Sequence, residues 1–163
     1  MHRFLLFGLL ILLYTGCKKE FRLATPDSEG LKALASQGDY YGDVLHIYFT
    51  ENYKATSGKK DIKTLDYDPD YECGYTQEFE GGIVFKKEAC IEAGGVNWAI
   101  HLPKVSEEEL RSWVENIYAA ELPDFPGEWT SEMEYGTRGG EAGCYYSLAD
   151  KGVHWQVIVW CGS

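Results

Sequence analysis

The apolar residues in one stretch of the second half of the chain recur at intervals of three and four, the spacing of one face of an α-helix. They are Leu110, Trp113, Val114, Ile117 and Tyr118. Ser106 stands where an N-cap is expected, Glu109 follows three residues later as in a capping box, and Pro123 ends the pattern. The pattern therefore predicts one amphipathic helix over residues 106–121.

Most other apolar stretches are short and are bounded by turn-forming residues, which is typical of β-strands. We predict strands at 43–52, 71–79, 83–90, 95–102, 129–136, 144–149 and 153–161, and a short helix at 28–37. Short turns between neighbouring strands favour antiparallel pairing. The predicted fold class is therefore α+β, a mostly antiparallel sheet of hairpins covered by the helix over 106–121 and stapled by disulfides.

The first disulfide is predicted from a hairpin that turns at Gly81-Gly82, because a Gly-Gly pair suits a two-residue loop. That loop places Cys73 opposite Cys90 at a non-hydrogen-bonded pair, where Cα atoms lie about 4.5 Å apart. Disulfides accept this distance. The register therefore predicts a Cys73–Cys90 bridge.

The second disulfide is expected in the last hairpin, where two registers are open. A Gly152-Val153 loop places Cys144 opposite Cys161, whereas a Lys151-Gly152 loop leaves the two cysteines diagonal. Either register accepts a Cys144–Cys161 bridge, and pairs that cross between the hairpins are the alternative. No two of the four cysteines have the Cys-x₂₋₄-Cys spacing of a zinc site. An even number of bridged cysteines favours an oxidising compartment outside the cytoplasm.

The N-terminus has the layout of a secretory signal peptide, with a basic start, an apolar stretch over 4–14 and small residues before a cysteine. Thr15-Gly16-Cys17 resembles the lipobox of bacterial lipoproteins, with Tyr14 where Leu is usual. The resemblance implies a signal peptide over 1–16, acylation of Cys17, a lipidated tether over 17–27 and a single extracytoplasmic domain over 28–163. Lys18, in place of Asp after the acylated cysteine, implies retention at the outer membrane. Cleavage by ordinary signal peptidase, with a free thiol at Cys17, is the alternative.

Composition and charge narrow the range of partners. The 163 residues are 45% hydrophobic and 25% charged, with a formal net charge of −11. Removal of residues 1–16 takes away one charged side chain, Arg3, and changes the net charge to −12. Such an acidic chain is not expected to bind nucleic acid, whose phosphates select basic surfaces. The lipid anchor is therefore expected to supply the contact with the membrane.

The densest acidic run outside the helix consists of Asp66, Asp68, Asp70 and Glu72. Its alternate spacing resembles the start of a calcium loop, but an EF-hand needs Gly where Tyr71 stands. We interpret the run as a solvated acidic loop and as a possible interaction patch. No metal site is predicted.

Catalytic chemistry has no clear signature in the sequence. His46, His101 and His154 fall in three separate predicted strands, and no nucleophile elbow, zinc-protease motif or phosphate loop is present. No catalytic residue and no cofactor are therefore predicted. Tyr145 and Trp160 alternate with core positions, so they are expected on the opposite, solvent-facing side of their strands.

These observations favour a binding or inhibitory module over an enzyme. The expected protein is a lipid-anchored lipoprotein of the bacterial envelope, with a cationic protein or an envelope glycan as partner. Its acidity would accelerate the encounter with a cationic partner. The alternative is a small envelope hydrolase whose site is assembled from dispersed residues.

Overall fold

A computed structural model describes residues 21–36, 43–90, 95–140 and 142–162. Within these residues there are three helices, α1 (Ser28–Ala35), α2 (Asp43–Asn52) and α3 (Glu107–Glu121). The strands are β1 (Lys60–Leu65), β2 (Asp68–Phe79), β3 (Ile83–Glu88), β4 (Val96–Pro103), β5 (Gly127–Trp129), β6 (Glu134–Thr137), β7 (Gly143–Asp150) and β8 (His154–Gly162). None of the described helices combines the length and the apolar character needed to cross a bilayer.

The eight strands form one antiparallel sheet in the order β1-β2-β3-β4-β8-β7-β6-β5. Alternate residues of the central strands are buried, and they join the apolar residues of all three helices in one core. Trp98 on β4, Val157 on β8 and Trp113 on α3 lie in this core. The predicted α+β class is confirmed, with residues of three helices rather than one in the core.

Helix α3 forms as the sequence predicts. The Ser106 side chain accepts a hydrogen bond from the Glu109 backbone N–H at 3.1 Å, and the whole predicted apolar stripe is buried. The Glu109 carboxylate does not form the second hydrogen bond of a capping box, which would be to the Ser106 backbone N–H. It accepts a hydrogen bond from the Leu23 backbone N–H at 2.6 Å and so ties the segment before α1 to α3.

Part of the segment assigned to the tether lies against the domain. Leu23 is buried, and the Ala24 backbone donates to the Tyr53 hydroxyl while its carbonyl accepts from Tyr48. A free tether therefore does not describe residues 21–27. Cys17 and the predicted signal peptide lie outside the described residues.

The prediction of a strand over 43–52 is wrong, because these residues form α2. The segment is rich in aromatic and β-branched residues, which favour strands. Its buried residues, however, are Val44, Leu45, Tyr48 and Phe49, spaced at intervals of one, three and one. This is the spacing of a helix face, and burial of that face outweighs the residue preferences.

Strand β1 was not predicted, because it lacks an apolar pattern: five of its six residues are exposed. As an edge strand it carries lysines that pair with the neighbouring strands, Lys60 with Glu78 at 2.9 Å and Lys63 with Glu88 at 3.1 Å. Charged side chains on an edge strand discourage pairing with other chains. The predicted strand over 129–136 is divided into β5 and β6.

The first hairpin differs from its predicted register by one residue. Phe79 pairs with Ile83, so the loop has three residues, and both Gly81 and Gly82 adopt positive φ. Cys73 nevertheless bonds to Cys90 with the Cα atoms 5.4 Å apart. Two features allow this: the β1–β2 register shifts at Cys73, and Cys90 follows β3 with φ of +58°.

The last hairpin adopts one of its two predicted registers. The Lys151 N–H donates to the His154 carbonyl across a Gly152-Val153 loop, and Cys144 pairs directly with Cys161. These two cysteines form the second disulfide. The pairing of all four cysteines is thus the one predicted from the hairpins.

Candidate functional site

The far end of the β1–β2 hairpin extends beyond the rest of the sheet. The pairing of β2 with β3 stops at Gly74. Beyond it, the Ala89 N–H donates to the Cys73 carbonyl, and residues 64–72 pair only within their own hairpin. We call residues 64–73 the arm. The Cys73–Cys90 disulfide lies at its base.

The four acidic residues of the predicted patch all lie on the arm, in two different environments. Asp66, Asp68 and Asp70 are exposed, and none of them forms an ion pair with another described residue. Glu72 is partly buried and pairs with Lys59. The Lys59 ammonium also lies over the Tyr75 ring, 4.3 Å from its centroid. Three of the four carboxylates are therefore available to an external cation.

A cavity of about 1040 Å³ lies between the arm, the segment after α3 and the disulfide end of the last hairpin. Three of the most exposed aromatic side chains of the described chain line it: Tyr67 at 85% exposure, Tyr71 at 50% and Phe125 at 46%. Asp70 and the Cys144–Cys161 disulfide also line it. The cavity thus combines exposed aromatic faces with a free carboxylate.

His46 lines the same cavity from α2 rather than from the strand in which it was predicted. Its Nε2 lies 2.8 Å from Gln77 Oε1, and its ring packs against the rings of Tyr75 and Phe85. The hydrogen bond to the Gln77 amide fixes the orientation of the ring. The contacts indicate a packing role for His46.

His101 and His154 meet on the face of the sheet away from the core. Their ring centroids are 5.0 Å apart, on the paired strands β4 and β8. Burial lowers the pKa of His101, and the neighbouring His154 and Lys151 lower it further. Among the described residues, no third metal-ligating side chain joins them within ligand distance. The sequence placed these two histidines far apart, and the β4–β8 pairing brings them together.

The same sheet face has an uncharged centre. The outward residues of β4, β7 and β8 include Asn97, Ala99, His101, Tyr145, Ser147, Ala149, Gln156, Ile158 and Trp160, and none is Asp, Glu, Lys or Arg. The rings of Tyr145 and Trp160 are neighbours, with centroids 5.8 Å apart and an angle of 30° between their planes. Trp160 is 37% exposed. The predicted outward orientation of this pair is confirmed.

Glu121, the last residue of α3, is the functional candidate that sequence reasoning missed. Its Oε2 accepts a hydrogen bond from the Tyr146 hydroxyl at 2.6 Å, and its Oε1 lies 3.8 Å from Cys161 Sγ. Burial raises the pKa of Glu121 to about 7, and the Tyr146 hydrogen bond opposes that rise. The signal was present, because residue 121 continues the apolar stripe of α3 at helical spacing.

Glu121, Cys144 and Cys161 form the only cluster of potential metal ligands among the described residues, with ligand atoms within 4.8 Å of one another. The two sulfurs are bonded to each other, and a metal binds thiolates rather than a disulfide. In the disulfide form the cluster therefore is not a metal site.

Comparison with protein-family models, with curated proteins and with solved structures finds no match to this chain, so its function is argued from its own residues.

Proposed function

We propose that the chain is a lipid-anchored binding module of the bacterial envelope that captures a cationic partner protein at the arm and the cavity beside it. The observation that carries this proposal is the set of unpaired carboxylates on the arm, Asp66, Asp68 and Asp70, next to two exposed tyrosines. Carboxylates attract Lys and Arg side chains, and aromatic faces bind the same cations through cation–π contacts.

The net charge supports fast encounter with such a partner. The chain carries −11 over its full length, and an acidic surface steers cationic proteins toward it over about 8 Å at physiological ionic strength. The exposed rings of Tyr67 and Tyr71 would then add short-range contacts that slow dissociation.

The placement in the envelope rests on two features. The Thr15-Gly16-Cys17 motif supports acylation of Cys17, with retention at the outer membrane through Lys18. The two disulfides support an oxidising compartment. Intact mass of membrane-extracted protein should show a lipid adduct on Cys17, and a Cys17→Ser variant should leave the membrane fraction. An unmodified N-terminus in the mature protein would reject the anchor.

The arm is tested by association with an oligolysine peptide, measured at low and at near-physiological salt. Replacing Asp66, Asp68 and Asp70 with Asn should slow association about tenfold at low salt and much less at high salt. The matched control replaces Glu51, Glu132 and Glu134 with Gln. These three are exposed, form no described ion pair and change the net charge equally.

The control distinguishes a local site from the overall charge. If the control slows association as much as the arm variant does, the partner senses only the net charge and the arm site is rejected. A thermal midpoint equal to that of the unmodified chain shows that each variant is folded.

An envelope glycan is a second candidate partner, supported by the uncharged sheet face. The neighbouring rings of Tyr145 and Trp160, with nearby amide and hydroxyl side chains, suit a polyol, because sugar rings stack on aromatic faces and their hydroxyls bond to amides. Purified peptidoglycan should then pellet the unmodified chain but not a Trp160→Ala variant. Equal pelleting would reject this surface.

A hydrolase is not proposed. Within the described residues, no serine or threonine hydroxyl is hydrogen-bonded to a histidine ring or a carboxylate, the arrangement that activates a hydroxyl nucleophile.

A further inference from the structure

The surroundings of the Cys144–Cys161 disulfide differ from those of a purely structural crosslink. Both cysteines are buried, at 1% and 6% exposure, yet both line the cavity beside the arm. A carboxyl group, that of Glu121, lies within 4.8 Å of both sulfurs. A small molecule or a peptide side chain in the cavity would therefore lie beside the two cysteines, whose sulfurs adjoin the Glu121 carboxyl group.

The position of Glu121 is unfavourable for a carboxylate. It ends α3, where the helix dipole disfavours negative charge, and the last turn contains no basic residue. Among the described residues it has no ion pair, and the titratable groups that face it are Tyr118 on its own helix and Tyr146 on β7; the two bonded cysteines lie beside it. A partly buried acid with a raised pKa and without a cation often marks a site of proton transfer.

Among the described residues, only the Oε2 oxygen of Glu121 accepts a hydrogen bond from an O–H or N–H group while the disulfide is intact. Oε2 accepts from the Tyr146 hydroxyl, whereas Oε1 lies 3.8 Å from Cys161 Sγ. A disulfide sulfur carries no hydrogen. Reduction would create an S–H that points at Oε1, so the structure already holds an acceptor for the reduced form.

We propose that the Cys144–Cys161 disulfide is an exchange centre that oxidises dithiols entering the cavity, with Glu121 as the proton donor to Cys161. This activity is independent of the binding proposed for the arm. The substrate class is a peptide or small molecule with two neighbouring thiols.

The exchange balances in two steps. A thiolate of the dithiol attacks Cys144 Sγ, the Sγ–Sγ bond breaks, and its electron pair leaves on Cys161 Sγ, which takes the proton of Glu121. The second thiol gives its proton to Glu121 and attacks the mixed disulfide. Cys144 leaves as a thiolate and takes from solvent the proton released by the first thiol. The dithiol is thereby oxidised to a disulfide, and the two cysteines are reduced.

The other disulfide provides an internal control. Cys73 and Cys90 have the same sequence separation of 17 residues. No described carboxylate or histidine forms a comparable cluster with their sulfurs, and Glu88 nearby is engaged by Lys63. Any effect specific to Glu121 should therefore appear at one disulfide and not at the other.

The test follows reduction of the full-length chain by dithiothreitol from pH 6 to pH 8.5. Free thiols are alkylated at intervals, and peptide mass mapping reports the two disulfides separately. At each pH, the reduction rate of the unmodified chain is divided by that of Glu121→Gln, so that ionisation of the reductant cancels in this ratio. For Cys144–Cys161 the ratio should be about ten or more at pH 6 and should fall to one or below by pH 8.5. The reason is that the protonated acid assists the leaving thiolate, whereas the carboxylate repels it. For Cys73–Cys90 it should stay at one.

Two results would overturn the proposal. One is a ratio for Cys144–Cys161 that does not change with pH. The other is a Cys144–Cys161 bond that dithiothreitol opens only in denaturant, which would show a structural crosslink. A Tyr146→Phe variant keeps Glu121 but removes its hydrogen bond, so the fall in the ratio should move to higher pH. A merely structural role for Glu121 would not shift the profile.

Discussion

The two disulfide hairpins of this chain look alike in sequence and differ in structure. Each joins cysteines separated by 17 residues. Cys90 is exposed, lies beyond the end of β3 and holds the base of a protruding arm. Cys144 and Cys161 are buried in paired strands and adjoin the carboxyl group of Glu121. The sequence spacing therefore predicts which cysteines bond, whereas the chemistry available to each bond depends on its surroundings.

The difference follows from the strands around each hairpin. The last hairpin lies inside the sheet, with β4 on one side and β6 on the other, so its register is fixed by burial of alternate residues. The arm is covered by no further strand, and its register shifts at several points. One disulfide therefore joins two strands inside the sheet. The other restrains a two-stranded hairpin without a neighbouring strand, a structure that is only marginally stable by itself.

The largest effect is expected from removing the buried disulfide. In the chain-entropy view, either crosslink contributes about 3 kcal/mol to the free energy of unfolding. Replacing Cys144 and Cys161 with Ala should cost more than this, since buried atoms are also lost. Replacing Cys73 and Cys90 with Ala should cost less, because the arm has few partners that its release would disturb. Urea unfolding of the two double variants checks this order, and the reverse order would contradict the comparison.

A smaller effect is expected from the charge of Glu121. Its pKa is raised from 4.5 to about 7 in the folded state, so the folded chain holds this proton more tightly than the unfolded chain does. The contribution to stability is therefore full below pH 4.5 and is lost as the pH rises through about 7, by roughly 1–3 kcal/mol.

Glu121→Gln should remove that pH dependence. The free energy of unfolding of the variant, measured in urea at pH 5 and pH 8, should change less between the two values than that of the unmodified chain. A Glu88→Gln variant serves as the control, since Glu88 lies beside the other hairpin and Lys63 lowers its pKa. If both variants respond to pH alike, Glu121 is not in a special environment.

The sequence predicted the elements whose pattern depends on the core. Helix α3 and the central hairpins alternate or repeat against one buried face, so the apolar spacing was sufficient. Helix α2 was predicted as a strand because its composition favours a strand whereas the spacing of its buried residues is helical. Strand β1 was not predicted because an exposed edge strand has no apolar period. The fold class was right even though two of its elements were not.

The candidate sites were less predictable, for a physical reason. The acidic residues of the arm lie within seven positions of the sequence, so the sequence identified them, but the pairing of Glu72 with Lys59 depends on how the chain folds back. The approach of Glu121 to Cys161 joins residues 40 positions apart across α3 and β8. The Cys73–Cys90 bond was predicted from a register that is one residue out, and the shift at Cys73 together with the turn at Cys90 restored the pairing.

The mobility of the arm is expected to depend on its disulfide alone. Replacing Cys73 and Cys90 with Ala should increase tryptic cleavage at Lys63 severalfold at a temperature well below the unfolding midpoint. The reason is that the crosslink no longer opposes local opening of the hairpin. Limited proteolysis followed by mass spectrometry locates the cut. The Cys144 and Cys161 double variant is the control, and faster cleavage at Lys63 in that variant alone would contradict the assignment of each disulfide to its own hairpin.

The smallest effect on the free energy of unfolding is expected from substitutions in the loops of the two hairpins. Gly82 and Gly152 have φ of +85° and +81°, and a Cβ at either position would meet no atom within 4 Å. Gly82→Ala and Gly152→Ala should therefore each cost about 1 kcal/mol, from backbone strain alone. Gly58→Ala is the control, because Gly58 has open space without a positive φ, and it should be neutral or slightly stabilising. Urea unfolding measures all three. A cost at Gly152 well above that at Gly82 would show that the buried hairpin also constrains its loop, and the contrast between the hairpins would then extend beyond their disulfides.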